Sequence, residues 1–75
     1  PHQGQVKFET KQKDAQVFID GAFAGTVKEV NSAWLREGAH QIELRNRAGE
    51  VFDQKIFIAS GKTTHVRPDT PPATR

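Results

Sequence analysis

Apolar and polar residues alternate along most of this chain, and this period of two restricts the fold more than any other feature. The pattern begins at Val6 and Phe8, which alternate with Gln5 and Lys7. It returns in four later segments, at residues 15–19, 40–45, 51–58 and 63–67. Strict alternation is typical of strands that bury one face and expose the other. The sequence therefore predicts strands in preference to helices.

Turn-forming residues separate these segments. Asp20-Gly21 favours a two-residue hairpin turn, because both residues accept the positive φ angles that such a turn requires. Gly25, inside the returning strand 22–27, indicates a bulge or a close approach of another backbone. The residues predicted to form structural turns are Asp20, Gly21, Gly25, Glu37, Gly38, Gly49 and Gly61.

Two interpretations of residues 28–37 are open. Asn31 and Ser32 favour the start of a helical turn over residues 33–36 that Gly38 would end. A short strand would instead carry Trp34 or Leu35 into the core. We prefer the strand, because a helix of a single turn gains little stability by itself.

The spacing of strands and turns predicts an all-β fold. We expect a small antiparallel β-sandwich of about seven short strands, prealbumin-like or immunoglobulin-like in kind. The folded domain is expected at residues 5–67, between a flexible N-terminal flank at 1–4 and a Pro-rich linker at 68–75. Trp34 is expected to close one end of the core. The predicted core residues are Val6, Phe8, Val17, Ile19, Val27, Leu35, Ile42, Leu44, Phe52, Ile56, Ile58 and Val66.

The composition argues against several classes of function. The chain has no cysteine, which excludes a disulfide framework and a thiolate metal site. Its net charge of +2 comes from interleaved signs, without the basic patch or stripe of a nucleic-acid-binding domain. No apolar segment approaches the roughly 20 residues that cross a bilayer. We expect no nucleic-acid partner, no membrane insertion by this segment and no cofactor.

The titratable residues form no catalytic or metal-binding pattern. An acid–base role for Asp20 would require Glu37 or Asp53 as its pair. The turn already explains Asp20, because an aspartate before a glycine bonds the turn backbone. We therefore expect no enzyme and no catalytic, cofactor-binding or metal-binding residues. None of the three histidines has metal-site spacing from another, so structural or solvent-facing roles are expected for His2, His40 and His65.

Several aromatic residues form the one constellation that could contact a ligand. If Val17 and Ile19 face the core, the alternation turns Phe18 away from it. Exposed aromatic residues on a sheet face mark protein or glycan contact sites. The preferred interpretation for so small a protein is that the sandwich buries both faces of some strands, or that Trp34 and the Phe residues form a satellite cluster, because large aromatic residues usually supply core area. The candidate ligand-contact residues are Trp34, Phe18 and Phe57, with Phe23 in the same constellation.

Three motifs, in their order and spacing, resemble the PEGA domain family. They are residues 17–21 (VFIDG), Gly25-Thr26 and residues 37–44 (EGAHQIEL). The resemblance covers residues 13–67. This chain has Val27 and Arg36 where that family usually has proline.

The resemblance implies a function as well as a fold. PEGA domains are small β-sandwich modules of bacterial and archaeal surface or periplasmic proteins, and no catalytic residues carry over. The function expected is a non-catalytic extracytoplasmic structural or protein-interaction module, a spacer or docking unit of a larger protein. Its partners would be other domains of the parent chain or a separate protein. The alternative is a carbohydrate- or cell-wall-binding module that uses exposed aromatic residues.

Overall fold

The structure is a computed structural model that describes residues 2–68. Those residues form seven strands and no helix, so the expectation of a small all-β sandwich is confirmed. The predicted linker lies outside the described residues except for Pro68. The strands are β1 (Gln3–Phe8), β2 (Gln16–Ile19), β3 (Ala22–Thr26), β4 (Ser32–Arg36), β5 (Gly38–Arg45), β6 (Val51–Ile58) and β7 (Thr63–Val66).

The strands form two sheets. One has the order β4-β1-β7 and the other the order β3-β2-β5-β6. Every pair is antiparallel except β1 with β7, which run parallel. The sandwich is therefore not antiparallel throughout. The reason is that β7 reaches the edge beside β1 from the opposite sheet, so no hairpin sets its direction.

A single hydrophobic core fills the space between the sheets. Val6 and Phe8 enter it from β1, and Ile42 and Leu44 enter it from β5. Alternate residues of each strand supply the core because successive side chains point to opposite faces of a sheet. The buried hydrophobic residues are Val6, Phe8, Ala15, Val17, Val27, Ile42, Leu44, Ile56, Ile58 and Val66.

The predicted core differs from the observed core at its rim. Ile19, Leu35 and Phe52 are only partly buried and pack against the core from outside. Ala15, which the prediction left out, is buried. Trp34 is 62% exposed, so the expectation that it closes one end of the core is wrong.

Residues 32–36 form strand β4, which decides between the two interpretations of this segment. Trp34 lies opposite Gln5 of β1, with Ala33 and Leu35 as its chain neighbours. Ala33 and Leu35 pack against the core. Trp34 must then face outward, because neighbouring residues of a strand alternate between faces.

The predicted turn at Glu37-Gly38 is a bend between the two sheets. Glu37 is the one residue between β4 and β5, which belong to different sheets. Its backbone N–H donates to the carbonyl of His2 at 2.8 Å, and Gly38 has a φ of 125°. The direction change was predicted, but its role in carrying the chain across the sandwich was not.

The Asp20-Gly21 hairpin turn is confirmed, with φ angles of 52° and 85°. The predicted irregularity at Gly25 is also present. Val17 pairs with Gly25 and Phe18 pairs with Phe23, so Ala24 is an extra residue in β3. This bulge leaves the rings of Phe18 and Phe23 opposite each other. Gly49 and Gly61, also predicted as turn residues, have φ angles of 86° and 73°.

Gly4 belongs to a strand, although the sequence analysis assigned it to the flexible flank. A side-chain carbon added there would lie 2.4 Å from the carbonyl oxygen of Ala59 and 2.7 Å from Cγ2 of Ile58. The connection between β6 and β7 is hydrogen-bonded to β1 at the next residue: the backbone N–H of Gln5 donates to the carbonyl of Lys62 at 2.8 Å. The close approach joins β1 to the connection between β6 and β7, and only glycine leaves room for it.

We therefore expect Gly4→Ala to lower the free energy of unfolding by about 3 kcal/mol, because the added carbon collides with backbone that cannot move freely. Gly49→Ala is the control, since its φ is 86° but no atom lies within 4 Å of the added carbon. The control should cost about 1 kcal/mol. Urea unfolding followed by far-UV circular dichroism measures both. Equal losses in the two variants would contradict the close approach at Gly4.

Candidate functional site

The outer face of the four-stranded sheet holds the strongest candidate for a contact surface. Core residues Ile42, Leu44, Ile56 and Ile58 face inward, so the residues between them face outward. The pairing of β2, β5 and β6 places the outward residues in rows across the sheet. In one row Phe18 lies opposite Glu43 and Glu43 opposite Asp53.

Two rings and one guanidinium group form a cluster on this face, which we call the aromatic cluster: Phe18, Phe23 and Arg45. The ring centroids of Phe18 and Phe23 are 5.5 Å apart, with the rings tilted by 57°. The guanidinium carbon of Arg45 lies 4.5 Å from the centre of the Phe18 ring, within cation–π distance. Glu43 accepts a hydrogen bond from Nε of Arg45 and holds the guanidinium in place.

Phe23 is the more accessible of the two rings in the aromatic cluster. Its side chain is 58% exposed, whereas Phe18 is partly buried beneath its neighbours. Phe18 was predicted as a ligand contact with Phe23 in the same constellation, whereas Arg45 was not predicted. The alternation of the strand and the register of the hairpin could predict that the two rings lie together on the outer face. The position of Arg45 over Phe18 depends on the pairing of β2 with β5, which local sequence patterns do not predict.

The other two candidate contacts lie apart from the aromatic cluster. Phe57 is 69% exposed on the outer face of β6, where Ala39 lies opposite it. Trp34 faces outward from the three-stranded sheet, on the other side of the molecule. The structure therefore brings Phe18 together with Phe23 and not with Phe57 or Trp34. The preferred expectation was burial of both strand faces or one satellite cluster of Trp34 and the Phe residues. It is wrong, because Phe23, Phe57 and Trp34 are all more than half exposed and only Phe23 is paired with Phe18.

Asp20 is tied to β5 through its carboxylate. Its Oδ1 accepts the backbone N–H of Gln41 at 2.9 Å, and its Oδ2 accepts Nδ1–H of His40 at 2.6 Å. The bond from Gln41, followed by the bond from His40, lowers the pKa of Asp20. The prediction that this carboxylate bonds its own turn backbone is wrong, because β5 lies close enough to offer donors.

His40 is held between two oxygen atoms. Its Nε2 lies 2.6 Å from the carbonyl oxygen of Arg36, and its Nδ1 lies 2.6 Å from the carboxylate of Asp20. A carbonyl oxygen and a carboxylate both accept hydrogen bonds, so this geometry favours the doubly protonated imidazolium form of the ring. The bond to Arg36, and then that to Asp20, raises the pKa of His40. A ring with both nitrogens engaged is not free to take a proton from a substrate.

A second histidine pairs with a carboxylate on the three-stranded side. Glu9 accepts Nδ1–H of His65 at 2.5 Å and Nε–H of Arg67 at 2.6 Å. The bond from Arg67, followed by the bond from His65, lowers the pKa of Glu9. His2, the third histidine, lies 3.4 Å from a carboxylate oxygen of Glu37. In residues 2–68 no three of the side chains that commonly bind metals come together.

An open cavity of about 230 Å³ lies at one end of the sandwich, near the loop between β5 and β6. The polar side chains that line it are hydrogen-bonded to one another: Nδ2 of Asn46 donates to the side chains of Gln12 and Glu50, both at 2.8 Å. Its lining contains no histidine or serine. The hydroxyl oxygen of Thr10 accepts the backbone N–H of Gln12, and the carboxylate of Glu50 accepts Nδ2 of Asn46. The residues lining it are Thr10, Gln12, Ala15, Leu44, Asn46, Glu50, Val51, Phe52 and Pro68.

Comparison with known proteins adds no relative. No protein-family model, curated protein or solved structure matches the chain. The resemblance to the PEGA family therefore stays a prediction. In the described part of the chain, no helix is long and apolar enough to cross a membrane.

The Asp20–His40 pair predicts a dependence of stability on pH. The raised pKa of His40 gives stabilisation that is complete below its ordinary value of 6.5 and is lost as the pH rises through the raised value. The lowered pKa of Asp20 gives stabilisation that is complete above its ordinary value of 3.8 and is lost as the pH falls through the lowered value. The pair therefore contributes most between those two ordinary values.

Asp20→Asn tests this pair, because asparagine keeps the preference for the Gly21 turn but removes the charge. We expect a loss of about 1 kcal/mol in the free energy of unfolding near pH 5.5, and a smaller loss near pH 8.5. Asp53→Asn is the control, since Asp53 bonds the Gln41 side chain and no histidine. Urea unfolding at both pH values measures the effect. A loss in Asp20→Asn that is the same at both pH values would contradict the charged pair.

Proposed function

We propose that this chain is a non-catalytic protein-interaction module and that the aromatic cluster is its contact surface. The observation that carries the proposal is the pairing of exposed Phe23 with partly buried Phe18, with Arg45 over the Phe18 ring. Aromatic residues and arginine are enriched in the centres of protein interfaces, where they dominate the binding energy.

The setting of the aromatic cluster favours binding. Phe18 and Arg45 lie on β2 and β5, the two inner strands of the four-stranded sheet, so their backbone is held on both sides. The Arg45 side chain is 52% exposed and already oriented by Glu43. Side chains ordered before binding lose less conformational entropy when a partner covers them. A protein partner would bury the accessible ring of Phe23 at a small ordering cost.

The engaged state of the titratable groups supports the non-catalytic part of the proposal. Both nitrogens of His40 and both oxygens of Asp20 already have partners. Glu9 is shared between His65 and Arg67. In the cavity near β5 and β6, the carboxylate of Glu50 already accepts a hydrogen bond from Asn46. These contacts support a stabilising role for the titratable groups that they involve, in preference to acid–base chemistry.

The place of the module in the cell is the part of the proposal that depends on the PEGA resemblance. We propose an extracytoplasmic spacer or docking unit of a larger bacterial or archaeal protein, which binds another domain of the parent chain or a separate protein. The carbohydrate-binding alternative has less support. Stacking on a sugar chain requires rings along one surface, whereas Trp34 and Phe18 lie on opposite sheets and the Phe18 and Phe23 rings are tilted.

The experiment compares three forms of the immobilised chain: wild type, Phe23→Ser and Trp34→Ser. Each is exposed to envelope proteins of its source organism, and bound proteins are quantified by mass spectrometry. We expect a partner retained by wild type and Trp34→Ser, and bound at least about 30-fold more weakly by Phe23→Ser. Trp34→Ser is the matched control, because it removes an aromatic side chain of similar exposure from the opposite sheet.

Titration of the wild-type protein with a panel of glycans distinguishes the proposal from the carbohydrate-binding alternative. Trp34 is the only tryptophan, so its fluorescence reports binding at its own face directly. The proposal predicts no change with peptidoglycan fragments or polysaccharides. Saturable binding of a glycan that is lost in Trp34→Ser, together with no partner sensitive to Phe23→Ser, would replace the proposal with the carbohydrate-binding alternative.

A further inference from the structure

β6 is a long edge strand with one open side. It covers Val51–Ile58, pairs with β5 on one side, and no strand within residues 2–68 pairs with its other side. The other edge strand of this sheet is β3, which is shorter than β6 and is interrupted by the Ala24 bulge. An unpaired edge presents a row of free N–H and C=O groups that can accept another strand. β6 is therefore the edge best suited to strand addition.

The outward side chains of β6 have an order that is complementary to itself. From one end to the other they are Val51, Asp53, Lys55 and Phe57, with Gln54 at the centre of the strand. In an antiparallel pair centred on Gln54, Asp53 lies opposite the partner's Lys55, and Val51 lies opposite the partner's Phe57. The two-fold axis repeats both contacts. Opposite charges and apolar pairs directly across two strands both stabilise a sheet.

The same register also matches the inward face of the strand. Phe52 lies opposite the partner's Ile56, and Gln54 lies opposite the partner's Gln54. Partly buried Phe52 and buried Ile56 belong to the rim and body of the core, so this pairing would extend the apolar layer of one copy into that of the other. A shift of the register by two residues would instead place Lys55 opposite the partner's Lys55 or Asp53 opposite the partner's Asp53, which is destabilising.

The charged groups at this edge have no opposite charge within the described residues. Lys55 forms no ion pair there, and Asp53 accepts only the side-chain amide of Gln41. Val51 and Phe57 are 58% and 69% exposed. A second copy would bring each of these apolar side chains into contact with an apolar side chain of the other copy and supply each charge with its counterpart.

We propose that two copies of this chain associate through β6, antiparallel and centred on Gln54, to form a continuous eight-stranded sheet. This contact is separate from the proposed partner surface. The two rings of the aromatic cluster lie on β2 and β3, whereas β6 is the opposite edge of the sheet. Arg45, the third member, lies on β5 opposite Val51 and points its guanidinium towards the Phe18 ring. A dimer would therefore present two aromatic clusters at the two ends of the joined sheet, and both would be available to partners.

The test measures self-association of the full chain by sedimentation equilibrium. Lys55→Asp gives every copy two acidic residues at the seam, and Asp53→Lys gives every copy two basic residues. We expect each single variant to raise the dimer dissociation constant at least about tenfold, because two attractive pairs become two repulsive pairs. The double variant Asp53→Lys/Lys55→Asp should dimerise like wild type, since reversing both charges restores both pairs.

A mixture of the two single variants tests the charge pairing between positions 53 and 55 directly. The acidic and basic forms should associate with each other more tightly than either does with itself. Positions 53 and 55 are exposed, so circular dichroism should find all variants folded. A wild-type chain that stays monomeric up to about 1 mM, the affinity limit of a weak contact, would overturn the proposal. A wild-type dimer that neither single variant weakens would overturn it as well, by placing the contact elsewhere.

Discussion

The shared hydrophobic core between the two sheets is the constraint on which the rest of the molecule depends. Neither sheet has enough buried surface of its own, since three or four short strands with one apolar face need a partner layer. Phe8 and Val6 of the three-stranded sheet meet Ile42 and Ile58 of the other in one cluster. For a domain of this size such a core gives only modest stability, so each connection between the sheets matters. The bend at Glu37-Gly38 and the close approach at Gly4 are two of those connections.

The same core determines which residues are free for function. A strand that directs alternate side chains inward must direct the others outward, and this places Phe18, Phe57 and Trp34 at the surface. The pairing of the strands then determines which of these residues lie together. The Asp20-Gly21 turn and the Ala24 bulge bring Phe23 beside Phe18, whereas membership of different sheets keeps Trp34 away from both. The proposed contact surface is thus a consequence of strand pairing as well as of exposure.

Local patterns in the sequence predict the strands, the positive-φ turns and most of the core, because each of these depends on neighbouring residues. Features that join distant residues could not be predicted in the same way. The parallel pairing of β7 with β1 and the room required at Gly4 both depend on how the sheets meet. The bond of His40 to Asp20 requires the β2–β5 register, which places a turn residue beside a strand 20 positions later. Arg45 over Phe18 requires the same register.

Native-state hydrogen exchange, followed by NMR across a series of urea concentrations, tests the central claim that one core unites the two sheets. If it does, the amides of β1 and β5 that bond within the sheets should exchange with the same free energy and the same dependence on urea, because both sheets open only when the shared core is lost. Amides of β1 that exchange through a separate opening of lower free energy, while those of β5 remain protected, would contradict the account. That result would mean that the three-stranded sheet unfolds independently.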